Sequence, residues 1–235
     1  MNSAAVRCVV FDVDDTLYLE RDYVHSGLRA VGEWLENREI VSGFESLAVG
    51  LFEAGLRGRI FDEALRRLGT EPKQELVREL VAVYRNHVPQ IRLLPDAREC
   101  LEELSVDGRL AALTGGPVES QQRKVRELGL EALLSPVLYS GEWGPEFDKP
   151  HPRAFQAMEE LIGSSGETCV YVADNPQKDF AGPKQRGWRT VRIRRSGSLH
   201  ASAESGSDID IERPDMCSLV RIVRGWNRLG RPGES

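Results

Sequence analysis

Near the amino terminus an apolar run ends in Phe11-Asp12-Val13-Asp14-Asp15-Thr16-Leu17, which packs three carboxylates and a hydroxyl into five residues. Side chains along an extended backbone point to alternate faces, so Asp12 and Asp14 are aimed the same way and two acids face one reacting group. Like charges held that close repel. A divalent cation relieves the repulsion, and carboxylate oxygens are the hard donors that Mg²⁺ takes. The competing account is an acidic turn feeding a loop, which needs no ligand.

Three later segments carry chemistry of the same kind. The apolar run Leu110–Leu113 ends in Thr114-Gly115-Gly116, with Pro117 suited to a helix's first turn, so a hydroxyl and two amides can cradle an anion. Asp148-Lys149-Pro150-His151-Pro152 sets a cation before a helical pattern, where it offsets phosphate charge. Val170–Ala173 ends in Asp174-Asn175-Pro176, with Asp179 following, and a carboxylate there adds to a magnesium shell. Each has a plainer account alone: a strand-to-helix turn, a surface lysine, and a helix cap built from Asp, Asn and Pro.

In this order the four segments resemble the signatures of the haloacid-dehalogenase-like superfamily, in its phosphatase branch with a helical cap. The resemblance implies a Mg²⁺-dependent phosphatase with Asp12 as nucleophile and Asp14 as general acid and base. It implies metal ligation by Asp12, Asp14 and Asp174, and phosphate binding by Thr114, Gly115, Gly116 and Lys149. Thr16 would brace the first loop, while Asn175 and Asp179 would act one shell out from the metal or orient Lys149. The implied reaction runs through an aspartyl-phosphate on a small phosphorylated metabolite. Asp14 separates this pattern from the dehalogenase branch, which lacks that acid. A phosphomutase and a noncatalytic binding module are the alternatives. A phosphonate hydrolase would need a cap lysine, and Lys73 alone lies between Leu17 and Leu93. Gly115 departs from the asparagine or aspartate often found after the threonine, so leaving-group contacts can differ.

These residues need a frame that brings distant segments together. Arg7–Phe11, Arg109–Leu113, Thr168–Ala173 and Arg189–Ile193 read as short buried strands, with Val137–Tyr139 weaker, and amphipathic helical patterns lie between them. The alternation predicts an α/β, Rossmann-like three-layer core with a mostly parallel sheet, whose ligands sit at the carboxyl ends of the strands. Residues 17–93 show helical stripes instead, such as Val24, Leu28, Val31 and Leu35, and are expected to form an inserted all-helical cap, a lid over the first strand's end. The core is then 1–16 and 94–227, with Asp208–Ile211 an edge strand, Met216–Trp226 a last helix and 228–235 a flexible tail.

A net charge of −6 argues against nucleic acid, which needs a concentrated basic face. The run between Arg7 and Asp12 is too short for a signal peptide's apolar core, and no stretch is long and apolar enough to span a membrane, so a cytoplasmic protein without a membrane partner is expected. Cys8, Cys100, Cys169 and Cys217 show no pairing pattern and are expected as buried thiols. Residues 195–207 (RSGSLHASAESGS) read as a flexible loop, and Arg192, Arg194 and Arg195 as a solvated strand end. Tyr18, Glu20, Arg21, Asp22 and Tyr23 are candidate specificity contacts, or simply the entry to the first cap helix. His25, His87 and His200 fit no metal spacing, and His151 is either a pocket residue or a helix start.

Overall fold

A computed structural model describes residues 5–229 and divides the chain into two compact units. One takes the chain up to Glu20 and again from Arg92; the other is Arg21–Ile91. Six strands form the sheet of the first unit: β1 (Cys8–Phe11), β2 (Arg109–Thr114), β3 (Val137–Tyr139), β4 (Cys169–Ala173), β5 (Arg189–Ile193) and β6 (Ile211–Arg213). Their order is β3-β2-β1-β4-β5-β6, and every pairing is parallel. The chain thus builds outward from β1 to β3, then resumes on β1's other side with β4. Such a reversal opens a crevice at the carboxyl ends of the central strands.

Period-two alternation sets the core. Cys8 and Val10, Ala111 and Leu113, and Cys169, Tyr171 and Ala173 share one sheet face, against Phe155 and Met158 of the helix Arg153–Ile162. Phe155 meets Tyr171 and Trp188 edge-on at ring separations of 5.1 and 5.8 Å. Each such buried side chain contributes about 1.5–3 kcal/mol. Gly182 is required there, because a Cβ on it would lie 2.5 Å from the Phe155 ring.

The helices in chain order are α1 (Glu20–Glu36), α2 (Phe44–Glu53), α3 (Ile60–Arg67), α4 (Gln74–Asn86), α5 (Pro95–Leu104), α6 (Val118–Glu127), α7 (Arg153–Ile162), α8 (Ala181–Gln185) and α9 (Leu219–Leu229). The second unit holds α2 to α4 and nearly all of α1, and it has no strand. Val24, Leu28, Val31 and Leu35 are buried as one stripe, with Phe44, Ala48, Leu65 and Leu80 from the other helices. Among the described residues no helix is long and apolar enough to cross a membrane.

Several expectations are corrected. The last strand is Ile211–Arg213 rather than Asp208–Ile211, because Asp208 and Asp210 are committed to side-chain bonding: Thr190 Oγ1 donates to Asp208 O at 2.7 Å and Thr190 N to Asp210 Oδ2 at 2.9 Å. Helix α9 runs from Leu219 to Leu229, so Arg228 and Leu229 are helical, and residues 230–235 of the expected tail lie outside the described residues. Cys217 is exposed while the other three cysteines are buried.

Two of the three arginines in the run are not solvated, while Arg194 stays partly exposed. Arg192 is fully buried and its guanidinium donates to the carbonyls of Asp174 (2.9 Å), Ala203 (2.9 Å) and His200 (2.8 Å). Arg195 donates to Thr16 O at 2.9 Å and to Asp96 Oδ2 at 2.8 Å. A guanidinium offers five donors in a fixed fork, enough to hold several loop carbonyls. The 195–207 loop is therefore pinned to the site, with Leu199 N also donating to Asp15 Oδ2 at 2.7 Å.

Candidate active site

The crevice gathers the ends of β1, β2 and β4. Asp12 follows β1 directly and its amide continues the ladder to Val172 O at 2.9 Å, which fixes the carboxylate at the sheet's edge. Thr114 is the last residue of β2, and Asp174 follows β4. Lys149 enters from the loop before α7 with its side chain wholly buried, its ammonium 2.6 Å from Asp12 Oδ1 and 2.8 Å from Asp179 Oδ1. It also donates to the Tyr171 hydroxyl at 2.9 Å, which in turn donates to Leu113 O at 3.1 Å. Two of its protons are thereby directed, to Asp12 and Tyr171, and Asp179 adds a second ion pair.

Electrostatics follow from burial. Asp12 is pushed up to about 6 by loss of water, with Asp179 adding to the rise and Lys149 opposing it. Burial alone would lower Lys149, but Asp12 and Asp179 outweigh it and hold the ammonium charged, well above its usual range. Asp174 is driven far up by burial and by the charges of Asp179, Asp12 and Asp15. Oxygens of Asp12, Asp174 and Asp179 lie within 4.8 Å of one another, and Asp174 Oδ2 is buried without a hydrogen-bond partner among the described residues. Lys178 faces the same cluster: burial and Lys149 push it down, yet Asp12, Asp179 and Asp14 leave it raised. An orphaned carboxylate oxygen within a cluster of hard donors fits Mg²⁺.

Asp14 departs from expectation. Strand β1 stops at Phe11 and the chain turns, with Asp15 in the left-handed region at φ 52°, so period-two alternation no longer aims Asp14 with Asp12. Its carboxylate lies outside the cluster formed by Asp12, Asp174 and Asp179. Lys124 Nζ donates to Asp14 Oδ1 at 2.7 Å, Gln121 Nε2 donates to Oδ2 at 2.8 Å, and the Tyr18 hydroxyl also donates to Oδ1. Burial would raise Asp14, but Lys124 with the Tyr18 and Gln121 hydrogen bonds brings it below the ordinary carboxylate range.

The anion cradle is also partly occupied. Gly116 N donates to Asp148 Oδ2 at 3.2 Å, so that amide is already committed. Asp148 Oδ1 accepts from Lys149 N at 2.8 Å and from the Ser140 hydroxyl, tying the loops after β2, after β3 and before α7 together. Gly115 must lack a side chain, since a Cβ would sit 2.6 Å from Asp148 Oδ1. Gly115→Ala is therefore expected to displace Asp148 and destabilise the protein by about 1–3 kcal/mol, measured by chemical denaturation. Thr114 Oγ1 donates to Gln121 Oε1 at 3.0 Å.

Of the supporting residues, Asp179 does face Lys149, and its Oδ2 accepts Asn175 N at 3.0 Å. Asn175 Nδ2 bonds His200 Nε2 at 2.9 Å, a role for a histidine that spacing left unassigned. Thr16 contributes its carbonyl to Arg195, while its hydroxyl is buried without a hydrogen-bond partner among the described residues. Asp15 caps the entry to α1, its Oδ1 accepting Glu20 N at 2.8 Å. Glu20 itself is pushed up to about 7 by burial and by Asp14 and Asp15.

Lys124, Gln121, Tyr18, Asp148 and Tyr171 were not singled out for these roles by spacing. One signal was available: α6 has the sequence VESQQRKVRE, with too few apolar residues to cover an inner face, so polar ones must turn inward. Ser120, Gln121 and Lys124 are indeed buried beside Val125.

Residues 6–187 match the family model for haloacid dehalogenase-like hydrolases. The chain is 32% identical over 234 residues to the glyceraldehyde 3-phosphate phosphatase of Methanopyrus kandleri, covering 93% of this chain and 97% of that protein. It is 37% identical over 188 residues to the phosphoserine phosphatase of Thermus thermophilus, covering 80% of this chain and 71% of the relative. Among solved structures, the HAD-hydrolase YfnB of Bacillus subtilis, determined with bound magnesium, superposes with a TM-score of 0.67 at 20% identity, covering 93% of this chain and 99% of that one. At that identity the likeness speaks to the fold.

Proposed function

We propose that this chain, which belongs to the haloacid dehalogenase-like hydrolase family, is a phosphatase that removes phosphate from a small metabolite with Asp12 as its nucleophile. The observation that carries this reading is the Asp12 carboxylate at the carboxyl end of β1, gripped at one oxygen by buried Lys149 and bordered by Asp174 and Asp179. The relatives named as phosphatases support the same reaction class. We propose further that the helical unit serves as a cap that selects the substrate.

Asp12 and Asp174, with Asp179, would hold Mg²⁺. Bound there, the ion supplies positive charge toward the phosphoryl oxygens and lowers the repulsion against an incoming anion. With Lys149 holding Oδ1, the other Asp12 oxygen attacks phosphorus in line; the new O–P bond forms as the bond to the leaving oxygen breaks. Lys149 offsets charge on the transferring group, and the Thr114 hydroxyl, which donates to Gln121 Oε1 here, would turn its proton to a phosphoryl oxygen only as substrate binds. Asp14 gives a proton to the leaving oxygen, then takes one from the water that attacks the acyl phosphate, and Asp12 is released. Its ionised resting form suits the second step directly; for the first, it takes up a proton as substrate binds.

The test is hydrolysis of 4-nitrophenyl phosphate, glyceraldehyde 3-phosphate and O-phosphoserine with Mg²⁺ or with EDTA. Magnesium-dependent phosphate release is expected, and its absence with all three would count against the reading. A second expectation needs no turnover. Asp12 and Asp174 have raised folded pKa values, so between the unfolded value of 3.8 and those raised values the native state binds more protons than the unfolded one. Stability of the metal-free protein therefore falls as pH rises through about 6, where Asp12 titrates. Mg²⁺ should raise the melting temperature more at pH 8 than at pH 5, by differential scanning fluorimetry. An increment independent of pH would contradict the assignment.

A further inference from the structure

We infer that Lys124 and Gln121 of α6 are positioning residues for the phosphoryl-transfer reaction, holding the Asp14 carboxylate and linking it to the phosphate-side Thr114. This inference rests on the phosphatase reading and on Asp14 as its acid and base.

The geometry is a closed relay. Lys124 is 3% exposed although it lies on a surface helix, and its ammonium is 2.7 Å from Asp14 Oδ1. Three residues before it, and so on the same helical face, Gln121 uses both ends of its amide. The carbonyl accepts the Thr114 hydroxyl at 3.0 Å, and the NH₂ donates to Asp14 Oδ2 at 2.8 Å. Tyr18 supplies a further hydrogen bond to Asp14 Oδ1. Asp14 sits on an irregular turn and has no strand to aim it, so these donors fix where its oxygens lie. The relay joins the proton-transfer group to the end of β2 through one rigid element. A shift of α6 therefore moves both groups together, whereas either alone would spoil their relative placement.

An ion pair that merely welded α6 to the loop would show the same distances. The two roles differ in what they do to the reaction. Loss of orientation at Asp14 harms the step in which a poor leaving group needs a proton, and spares a substrate whose leaving group departs without one. A structural defect reduces the folded fraction and lowers both equally.

The experiment measures kcat/KM, which reports the first irreversible step, for an alkyl phosphate (glycerol 3-phosphate) and for 4-nitrophenyl phosphate with Mg²⁺. Wild type, Asp12→Asn, Lys124→Met, Lys124→Arg and Gln121→Leu are compared. Lys124→Met is expected to lose about 100-fold on the alkyl phosphate and less than about fivefold on the aryl phosphate, the scale of a displaced catalytic group. Lys124→Arg, which keeps a charged donor, should recover part of the alkyl activity. Gln121→Leu should show the same asymmetry at about tenfold. The ratio between substrates is independent of how much protein folds, so a destabilised variant still reports. If wild type turns over and Asp12→Asn does not, yet Lys124→Met loses the same factor on both substrates or nothing on either, the positioning role is overturned and the phosphatase reading stands. If wild type hydrolyses neither of these substrates nor glyceraldehyde 3-phosphate nor O-phosphoserine, or Asp12→Asn matches it, the phosphatase reading itself falls.

Discussion

Asp12→Asn is expected to lower kcat by at least about 10⁴-fold while leaving the metal-free protein as stable as wild type or more so. The substitution is nearly isosteric, but a neutral amide oxygen is a poor nucleophile and cannot carry the acyl phosphate through hydrolysis. Its effect on stability has the opposite sign because Asp12 is buried among Asp174 and Asp179, and its ionisation is disfavoured there. Removing that charge relieves repulsion, while Lys149 keeps Asp179 as a partner at 2.8 Å. Kinetics and thermal unfolding on one preparation separate the two effects. A variant that lost activity only because it unfolded would contradict this account.

Lys149→Met should do the reverse and damage both properties. Its side chain is wholly buried between Asp12 and Asp179, and truncating it removes the ammonium that both carboxylates touch, leaving only the charge of Lys178 nearby. Breaking a buried pair in this way costs about 3–5 kcal/mol. Activity should fall about 10³-fold, as expected when a donor to the transition-state charge is lost. The pH dependence is diagnostic. Burial already raises Asp12 to about 6 with Lys149 opposing the rise, so without that lysine Asp12 takes up its proton at higher pH still, and the stability deficit narrows as pH falls from 8 to 5. Urea denaturation of wild type and variant at pH 5 and pH 8 measures it; an equal deficit at both would mean that lost packing, not stranded charge, is responsible.

Much of the frame was legible because it depends on local pattern. The runs at Val137–Tyr139 and Arg189–Ile193 form strands with the expected bounds, and parallel order follows from strands separated by helices. The polar strand ends were legible for the same reason: Asp12, Thr114 and Asp174 each close or follow a short apolar run, and the parallel sheet brings those ends together.

What failed was reasoning that carried a local rule past its range. Alternation aimed Asp14 with Asp12 only while the backbone stayed extended, and it turns after Phe11. Arg192 reads as solvated by composition, yet its guanidinium finds the carbonyl of Asp174 after β4 and those of His200 and Ala203 in the 195–207 loop. The Ser and Gly of 195–207 signal a loop correctly, but an anchored loop and a free one share that composition. Lys124 and Asp14 lie 110 residues apart, and no spacing rule reaches that far. The deficit of apolar residues on α6 was the one trace such a pairing left in the sequence.

The central claim, that Asp12 becomes covalently phosphorylated, is tested most directly by rapid quench of the enzyme with ³²P-labelled substrate in cold acid, followed by peptide mapping. Label is expected on the peptide that carries Asp12 in the wild type, appearing before free phosphate, and absent in Asp12→Asn. Turnover by the wild type with no label on protein at any time, or label on a peptide without Asp12, would contradict it.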